Sequence, residues 1–528
     1  MGGLFLGFLT LIGRIYSNNY NLLTQYSAFL ALSVVALFVV FLAVKIPLLK
    51  KKFLEGIDLL TIVFLTLILV FSASALFSGF HGCSQGGDCT PQLEGAREIM
   101  EAGESDHGSE YGALVITSML FSFFGIDYFL PAFASSFFGL VTVLLAFIVG
   151  KTLKDNHLGL ISAFIFASSE FLIVWSKDIE LYSATITFLM FAILSFLLYF
   201  EEESDVWILG LGVISTTFAM MIRIEAIFFL PVLFFYSFMG RKEIRRHHIS
   251  VFLLILLAVP TLMGSIHTQY LIYSGGDDIV AAEGFNMVTE TMENIPRFLL
   301  EVMTEFNSYL VSGLFLIGLS WSFKRRKSSQ MFFAIFFLIF FLFSTFAITL
   351  LLEYGYGDNI AYSRSLLPLQ IPLLMLSSLG LNRVLEWMEQ SLGKDLDKMF
   401  YFLAVPLAVL LLMTQPSLST QSTPQYAEMV KYSQELPRGC KILAGRSQVV
   451  EVHRDMDVIQ LGEVKNRSRL ESIVQDNNCV ILSYDRLCKV EKPGPTGYEN
   501  CNWIMDTWDT EPLKEFSNGY GYYRIKSD

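Results

Sequence analysis

The sequence predicts an α-helical polytopic membrane protein that ends in a small α/β domain. Three observations predict this class: an excess of apolar residues, repeated apolar stretches of bilayer length, and a polar C-terminal part. Of the 528 residues, 53% are hydrophobic and only 16% are charged. Because a soluble protein is typically about 25% charged, lipid rather than water must solvate much of this chain.

The apolar stretches recur along most of the chain. A bilayer's hydrocarbon core is about 30 Å thick, and a helix of about 20 residues crosses it. The stretches lie at 26–48, 57–80, 129–150, 158–175, 181–200, 206–222, 226–239, 249–272, 309–323, 331–352, 366–385 and 399–414. They predict about ten to thirteen spans, the shorter ones being completed by flanking residues.

Composition divides the chain into three predicted parts. Residues 1–56 form an N-terminal membrane segment without a small-residue cleavage site, so a cleaved signal peptide is not expected. Residues 57–415 form the main membrane domain, and its first outer loop is 81–128. Residues 416–528 form an extracytoplasmic α/β domain.

The C-terminal part alternates short helical and β-like runs. A polar linker, 417–425, is followed by a predicted helix at 426–436. Predicted strands at 441–444 and 479–483 flank a predicted helix at 467–476. This part lacks a Gly-rich nucleotide-binding motif, so we expect it to be a structural or partner-contacting cap.

Charge patterning orients the chain. Short loops with basic clusters, Lys50–Lys52, 241–246 and Lys324–Lys327, are expected to stay cytoplasmic. Segments 81–110 and 273–305 are acidic and are expected to face outward. A formal net charge of −12 argues against nucleic acid as a partner. We therefore expect a multi-pass protein of the plasma membrane with its large loops and C-terminal domain outside.

One apolar run must not cross the membrane. If residues 111–127 crossed completely, Lys151 and Lys154 would fall outside and the later basic loops would change sides. The sequence therefore predicts a juxtamembrane or re-entrant helix at 111–127.

The cysteines agree with this orientation. All six lie in predicted outer segments: Cys83, Cys89, Cys440, Cys479, Cys488 and Cys501. An oxidising compartment favours disulfides, and Cys83–Cys89 is a plausible local pair. The other four cysteines allow three pairings between which sequence does not choose. The cysteines lack the C-x-x-C spacing that zinc sites favour, so a zinc site is less expected than disulfides.

Ionisable residues at a membrane face are costly and are therefore candidate functional residues. Asp88 precedes an amphipathic helix that turns Leu93, Ile99 and Met100 toward the membrane. An ionised aspartate there could accept a proton from an attacking hydroxyl; the alternative is a solvated acidic loop.

Three further groups of charged or polar residues fall on the predicted outer face. His107 and Glu110 could bind a divalent metal or a substrate, although two ligands are few and an interfacial anchor is the alternative. The other candidate substrate-binding residues are Asp178, Glu180, Arg223, Glu225, Tyr362 and Arg364. Arginine grips phosphate bidentately, although an arginine at a membrane edge can also merely snorkel. Together they fit a lipid-phosphate donor held at the headgroup plane.

These motifs resemble the GT-C class of membrane glycosyltransferases, in the protein O-mannosyltransferase-like and aminoarabinose-transferase-like group. In that group a catalytic Asp stands about eight residues before an Ala-Arg-Glu-like helix, as Asp88 stands before Ala96-Arg97-Glu98. The runs 107–125, 150–159, 175–183 and 363–369 follow the group's order of motifs, and the resemblance covers 57–385. Cys89 replaces a frequent Glu, and the prolines after the histidine are absent.

The resemblance implies a GT-C-like bundle that transfers a sugar with inversion from a polyprenyl- or dolichyl-phosphate donor. The acceptor would be a protein, a lipid or a glycan. Asp88 would act as the general base, and Arg364, with Arg223 as second choice, would contact the phosphate. His107, Glu110 or Asp178 would order the acceptor or a divalent metal, which stays open as a cofactor.

Two other classes of function compete with the transferase. A multi-pass lipid or lipid-linked-sugar transporter or flippase would have as many spans, but it should show inverted repeats or broken spans. No internal repeat is evident, and the ionisable residues collect at one face rather than in mid-span. In a non-catalytic assembly subunit or receptor, the C-terminal domain would carry the function and Asp88 would be dispensable.

Overall fold

A computed structural model of the chain describes residues 34–42, 56–77, 89–102, 111–233, 287–353, 366–392, 429–444 and 458–526. Short gaps within these ranges fall at 37, 41, 128, 202–205, 305–306, 326–327, 430–431, 433–434, 438, 462–463, 465–466, 485–487, 489–495 and 517–519. The predicted spans at 249–272 and 399–414 lie outside the described residues. Those at 26–48 and 226–239 are described in part.

The described chain before residue 393 is mainly helical. Its helices are α1 (Leu59–Phe77), α2 (Cys89–Ala102), α3 (Tyr111–Phe124), α4 (Leu130–Leu153), α5 (Asn156–Ala167), α6 (Glu170–Trp175), α7 (Tyr182–Glu201), α8 (Val206–Ile222), α9 (Met287–Thr304), α10 (Tyr309–Arg325), α11 (Ser328–Glu353) and α12 (Gln370–Leu392). Short 3-10 turns lie at Ile224–Phe228 and Leu367–Leu369.

Local sequence sets several helix boundaries. Pro131 stands in the first turn of α4, where a backbone N–H would have no helical partner. Asp155 caps α5, and its carboxylate accepts from the backbone N–H three residues on, at 2.9 Å. The Ser169 hydroxyl caps α6 in the same way. The stretch 158–175, predicted as one span, is therefore broken into two helices.

The helices run between two ends of a bundle. The Asp178 end contains the α6–α7 loop, residues 176–181. The Lys154 end contains residues 151–156, where Lys154 Nζ lies 2.8 Å from Glu386 Oε1 and so joins α4 to α12. Helix α4 runs from the Asp178 end to the Lys154 end, α5 with α6 returns, and α7 and α8 repeat this pair.

Helix α3 does not cross the bundle. At its start, a Cβ added to Gly112 would lie 2.8 Å from the backbone nitrogen of Ile222, at the end of α8. Near its other end, Phe121 packs with Ala132 and Ile179. Both contact regions lie at the Asp178 end, and 14 residues span only about 21 Å. This placement confirms that the predicted re-entrant segment stays on one side of the bundle.

The acidic segment 273–305, which was predicted to face outward, contains a helix, α9. Its Phe298 and Val302 are buried in the main hydrophobic core. Pro296 lies inside the helix. Acidic residues lower the average hydropathy of this segment, so a search for apolar spans does not detect it.

Some helices are apolar enough to cross a membrane by length and composition. Among the described residues these are Leu59–Phe77, Leu130–Leu153 and Tyr182–Tyr199, and five shorter apolar helices accompany them. Large apolar side chains such as Leu59 and Phe123, each 77% exposed, cover the bundle's outer surface. Together these features confirm an integral membrane protein.

The C-terminal part forms a five-stranded mixed sheet. Its strands and helices are β1 (Lys441–Ala444), β2 (Val458–Gln460), α13 (Arg467–Asp476), β3 (Val480–Tyr484), α14 (Thr496–Thr507), β4 (Thr510–Glu515) and β5 (Gly521–Ile525). The strand order is β2-β1-β3-β5-β4, with β1 parallel to β2 and β3, and β5 antiparallel to β3 and β4. The sequence predicted β1, α13 and β3, and the small α/β fold is confirmed.

Two disulfides join the cysteines of this sheet region. Cys440 pairs with Cys479, and Cys488 pairs with Cys501. The first joins the residues just before β1 and β3, while the second anchors α14. The expected Cys83–Cys89 pair lies outside the residues whose side chains are described.

Candidate functional site

The loop at the Asp178 end buries two carboxylic acids. Asp178 is 5% exposed and Glu180 is fully buried. The Asp178 side chain accepts a hydrogen bond from the Glu180 backbone N–H at 3.1 Å, which closes a tight turn. Leu181 follows with a φ of 55°, in the left-handed region. This backbone aims both acids inward rather than toward solvent.

Glu180 lies beside a phenol and a guanidinium. Tyr182, the first residue of α7, donates its hydroxyl hydrogen bond to Glu180 Oε2. The Nη1 atom of Arg223 lies 3.7 Å from Glu180 Oε2. The Cζ atom of Arg223 lies 4.6 Å from the centroid of the Tyr182 ring. A carboxylate, a phenol and a cation thus form one buried group.

Arg223 also grips a second carboxylate. Its Nη2 and Nε lie 3.1 and 3.3 Å from the two carboxylate oxygens of Glu225. All three guanidinium nitrogens therefore contact acids of the chain itself. Arg223, the second choice for a phosphate contact, is in this geometry the counter-ion of Glu180 and Glu225.

A second cation lies in the same loop. Lys177 is only 8% exposed, and burial lowers the pKa of its ammonium below the ordinary value. Lys177 thus adds a buried ammonium to the loop that carries Asp178 and Glu180. Sequence reasoning did not select Lys177 or Tyr182, although both lie inside the 175–183 motif.

Hydroxyl pairs fix the helices under this loop. The Ser135 and Ser183 hydroxyls lie 2.8 Å apart between α4 and α7. Ser136 donates to the backbone oxygen of Ser176 at 3.0 Å. A Cβ on Gly139 would lie 2.6 Å from the Ser176 hydroxyl, so only glycine allows this approach. Contacts with α4 therefore fix the position of the loop on both sides, at Ser176 and Ser183.

Helix α2 lies over the loop. Its Leu93 and Ala96 are fully buried in a cluster with Ile179, between the two loop acids, and with Phe121. The predicted amphipathic pattern of α2 is confirmed. Its apolar face, which was predicted to turn toward the membrane, packs against protein side chains instead. On the opposite face, Glu101 is exposed.

Several predicted site residues are not part of the described structure. Asp88, His107, Glu110, Tyr362 and Arg364 lie outside the described residues. Asp88 directly precedes α2 in sequence, and Arg364 lies six residues before α12. Of the predicted site residues, Asp178, Glu180, Arg223 and Glu225 are described, and they are brought together.

A metal site is not evident within the described ranges. There, no three His, Cys, Asp or Glu side chains lie close enough to hold an ion. Glu180 and Glu225 already contact Arg223. The arrangement is chemically a buried acid–cation network that can position polar groups of a ligand.

The fold matches those of known enzymes. The ArnT structure from Cupriavidus metallidurans bound to undecaprenyl phosphate is 13% identical, with a TM-score of 0.56 over 88% of this chain and 97% of that chain. The archaeal oligosaccharyltransferase AglB from Archaeoglobus fulgidus, in complex with an inhibitory peptide and a dolichol-phosphate, is 11% identical. Its TM-score is 0.50 over 88% of this chain and 74% of that chain.

The sequence comparisons are more limited. The profile of a family described as dolichyl-phosphate-mannose-protein mannosyltransferase matches residues 112–263, from the start of α3 to beyond the Arg223–Glu225 pair. No curated protein sequence matches the chain. The fold is thus that of the GT-C class of membrane glycosyltransferases, as the sequence predicts.

Proposed function

We propose that this protein is a GT-C glycosyltransferase that moves a sugar from a polyprenyl- or dolichyl-phosphate donor to an acceptor at the outer membrane face. One observation carries this proposal. The buried network of Glu180 and Arg223 lies at the bundle end where α2 packs on Ile179, and α2 begins one residue after Asp88. ArnT and AglB, which share the fold, bind undecaprenyl phosphate and dolichol-phosphate.

Asp88 acts as the general base of the proposed reaction. Its carboxylate takes the proton of the acceptor hydroxyl while that oxygen attacks the anomeric carbon of the donor sugar. The bond from that carbon to the phosphate oxygen breaks, so the configuration inverts and the lipid phosphate leaves. A phosphate is a good leaving group, so a base and a phosphate-stabilising cation are the main requirements.

The phosphate contact is assigned to Arg364. Arg223 is already engaged by Glu180 and Glu225, so using it would break a buried ion pair, which is costly. Arg364 precedes α12, which starts at the Asp178 end, and Tyr362 is near it in sequence. In this scheme Arg223 positions Glu180 rather than the donor.

Other residues order the acceptor. His107 and Glu110, just before α3, and Asp178 are assigned to acceptor or metal contacts. A divalent ion, where used, would supply Lewis-acid charge near the leaving phosphate. The acceptor is a protein, lipid or glycan hydroxyl. The proposed topology keeps 81–128 and the domain 416–528 outside the plasma membrane, with 57–415 as the catalytic membrane domain.

The decisive experiment replaces Asp88 by asparagine. Purified wild-type protein is incubated with labelled polyprenyl-phosphate sugars and candidate acceptors, and transfer is counted. We expect Asp88→Asn to lose about 100-fold or more in rate, since a positioned base typically contributes that much, with an unchanged melting temperature. Glu101→Gln, on the exposed face of α2, is the matched control and should transfer normally.

Two results would contradict the proposal. Normal transfer by Asp88→Asn would remove the base from its role. Vectorial movement of an intact lipid-linked sugar across vesicles, without transfer, would favour a flippase instead.

A further inference from the structure

Gln92 is a buried amide that has no hydrogen-bond partner among the described residues. It lies in the first turn of α2, and its side chain is 5% exposed. Within the described part of the chain, both its Nε2 and its Oε1 atom lack a hydrogen-bond partner. Burying an unpaired amide costs free energy in the isolated protein, so this side chain requires an explanation.

Gln92 lies on the buried face of α2 and not on the face turned to water. Residues four apart share one face of a helix, and Ala96, four residues on, is fully buried against Ile179 and Phe121. Glu101 lies on the opposite, exposed face. A core position would ordinarily carry an apolar side chain like that of Leu93, the next residue.

The geometry of a helix relates Gln92 to the start of α2. Helical Cα–Cβ bonds tilt toward the N-terminus, and a long side chain covers the turn before its own Cα. A side chain at position 92 is therefore expected to cover the first turn of α2, whose first residue, Cys89, follows Asp88 in sequence. The first backbone N–H groups of a helix are also unpaired, and no acidic residue occupies the first turn of α2.

The chemistry of an amide restricts its ligand. The Nε2 atom can donate only, and the Oε1 atom can accept only. An ionised phosphate diester offers acceptors only and would leave Oε1 unpaired. A hydroxyl group both donates and accepts, so hydroxyls of a sugar can satisfy both atoms of Gln92.

From this combination we infer that Gln92 is a further substrate-binding residue, whose amide hydrogen-bonds sugar or acceptor hydroxyls at the Asp178 end, where the buried face of α2 packs on Ile179. The inference rests on the proposed function and adds the part of the substrate that α2 recognises. The hydroxyls come from the donor's sugar or from the acceptor, and the two sources give different results below.

The test uses Gln92→Met, which keeps the length of the side chain and removes both polar atoms. Binding of polyprenyl phosphate and of polyprenyl-phosphate mannose to purified protein is measured, together with KM for the acceptor. If the donor sugar is the source, affinity for the mannose lipid falls about tenfold, as for the loss of two neutral hydrogen bonds. Affinity for bare polyprenyl phosphate stays within about twofold.

If the acceptor is the source, both lipid affinities are unchanged and the acceptor KM rises about tenfold. In either case the melting temperature of the ligand-free variant should equal or exceed that of the wild type. This follows because the substitution removes an unpaired buried amide. A purely structural role would instead lower the melting temperature.

Gln330→Met is the matched control. Gln330 is 6% exposed and lies near the start of α11, and its Oε1 atom also lacks a partner among the residues that the structure describes. Helix α10 runs from the Asp178 end toward the Lys154 end, so the start of α11, which follows it, is remote from the Asp178 end. The same substitution there should change neither lipid affinity nor acceptor KM.

The outcomes separate this inference from the proposed function. Wild-type binding and transfer with no change in Gln92→Met would overturn the inference alone. An equal loss of affinity for both lipids would show a phosphate contact and contradict the hydroxyl assignment. A wild-type protein that binds neither lipid and transfers no sugar would remove the proposed function and the inference together.

Discussion

The guanidinium of Arg223 lies 3.7 Å from the Glu180 carboxylate, and both side chains are more than nine-tenths buried. The pair joins the end of α8 to the loop before α7, 43 residues earlier. Glu225 contacts the same guanidinium, so one arginine is paired with two acids. The relationship makes Arg223 a positioning residue of the Asp178 end.

Arg223→Met should therefore destabilise the protein by about 3–5 kcal/mol, because it leaves buried carboxylates without a counter-ion. The midpoint of unfolding in detergent measures this. Arg297→Met, at an exposed position of α9, should have little effect. Adding Glu180→Gln to Arg223→Met should recover part of the loss, because one uncompensated charge is removed. If Arg223→Met were as stable as the wild type and lost only donor affinity, Arg223 would be a phosphate ligand after all.

Two glycines let α10 and α12 touch through their backbones. A Cβ added to Gly318 would lie 1.8 Å from the Leu376 carbonyl oxygen, and one added to Gly380 would lie 1.9 Å from that of Leu314. Gly318→Ala should thus force the helices apart and cost about 1–3 kcal/mol or more. Gly313→Ala, in the same helix with nothing within 4 Å, is the control. Equal melting temperatures for the two variants would refute this close packing.

The disulfides can be mapped directly. Digestion without reduction should release peptides that join Cys440 to Cys479 and Cys488 to Cys501. Replacing both Cys488 and Cys501 by serine should destabilise the sheet region by about 3 kcal/mol, as expected for a short closed loop. Any crossed pair, such as Cys440 with Cys488, would contradict the arrangement.

The sheet region should show a pH-dependent contribution from Tyr523. Burial, followed by its hydrogen bond to Glu515, raises the pKa of this phenol from 10.0 to about 12. A raised pKa means that the neutral phenol is favoured in the folded state. Its contribution to stability is thus complete below pH 10 and is lost as the pH rises to about 12. The absorbance difference between wild type and Tyr523→Phe should titrate near pH 12.

Glu515→Gln provides the control for this titration. It should lower the pKa of Tyr523 only in part, because burial is the larger cause. A difference between the wild type and Tyr523→Phe that titrates near pH 10 would refute the buried hydrogen bond.

Periodicity and charge patterning predicted much of the bundle. The parity of the basic loops required that residues 111–127 not cross, and α3 has both ends at the Asp178 end. Strand β1 and helix α13 were predicted with the bounds that the structure shows. These features depend on local composition, which can be read directly from the sequence.

Contacts between distant residues were harder to predict. The sequence marked Glu180 and Arg223 as separate candidates, but not that each engages the other, because their pairing depends on helix packing. The break at Ser169 was missed because one apolar run covers both helices. Gln92 was overlooked because only burial reveals that its amide lacks partners.

The placement of α3 bears on how the chain assembles during synthesis. Leu93, Phe121 and Ala132 meet within 40 positions of one another, and α3, which lies between Leu93 and Ala132 in sequence, has both of its contact regions at the Asp178 end. Contacts between residues close in sequence form quickly, so α2 can pack against Phe121 and Ala132 before α7 is synthesised. Ile179, which is synthesised later, would then pack onto a cluster that has already formed.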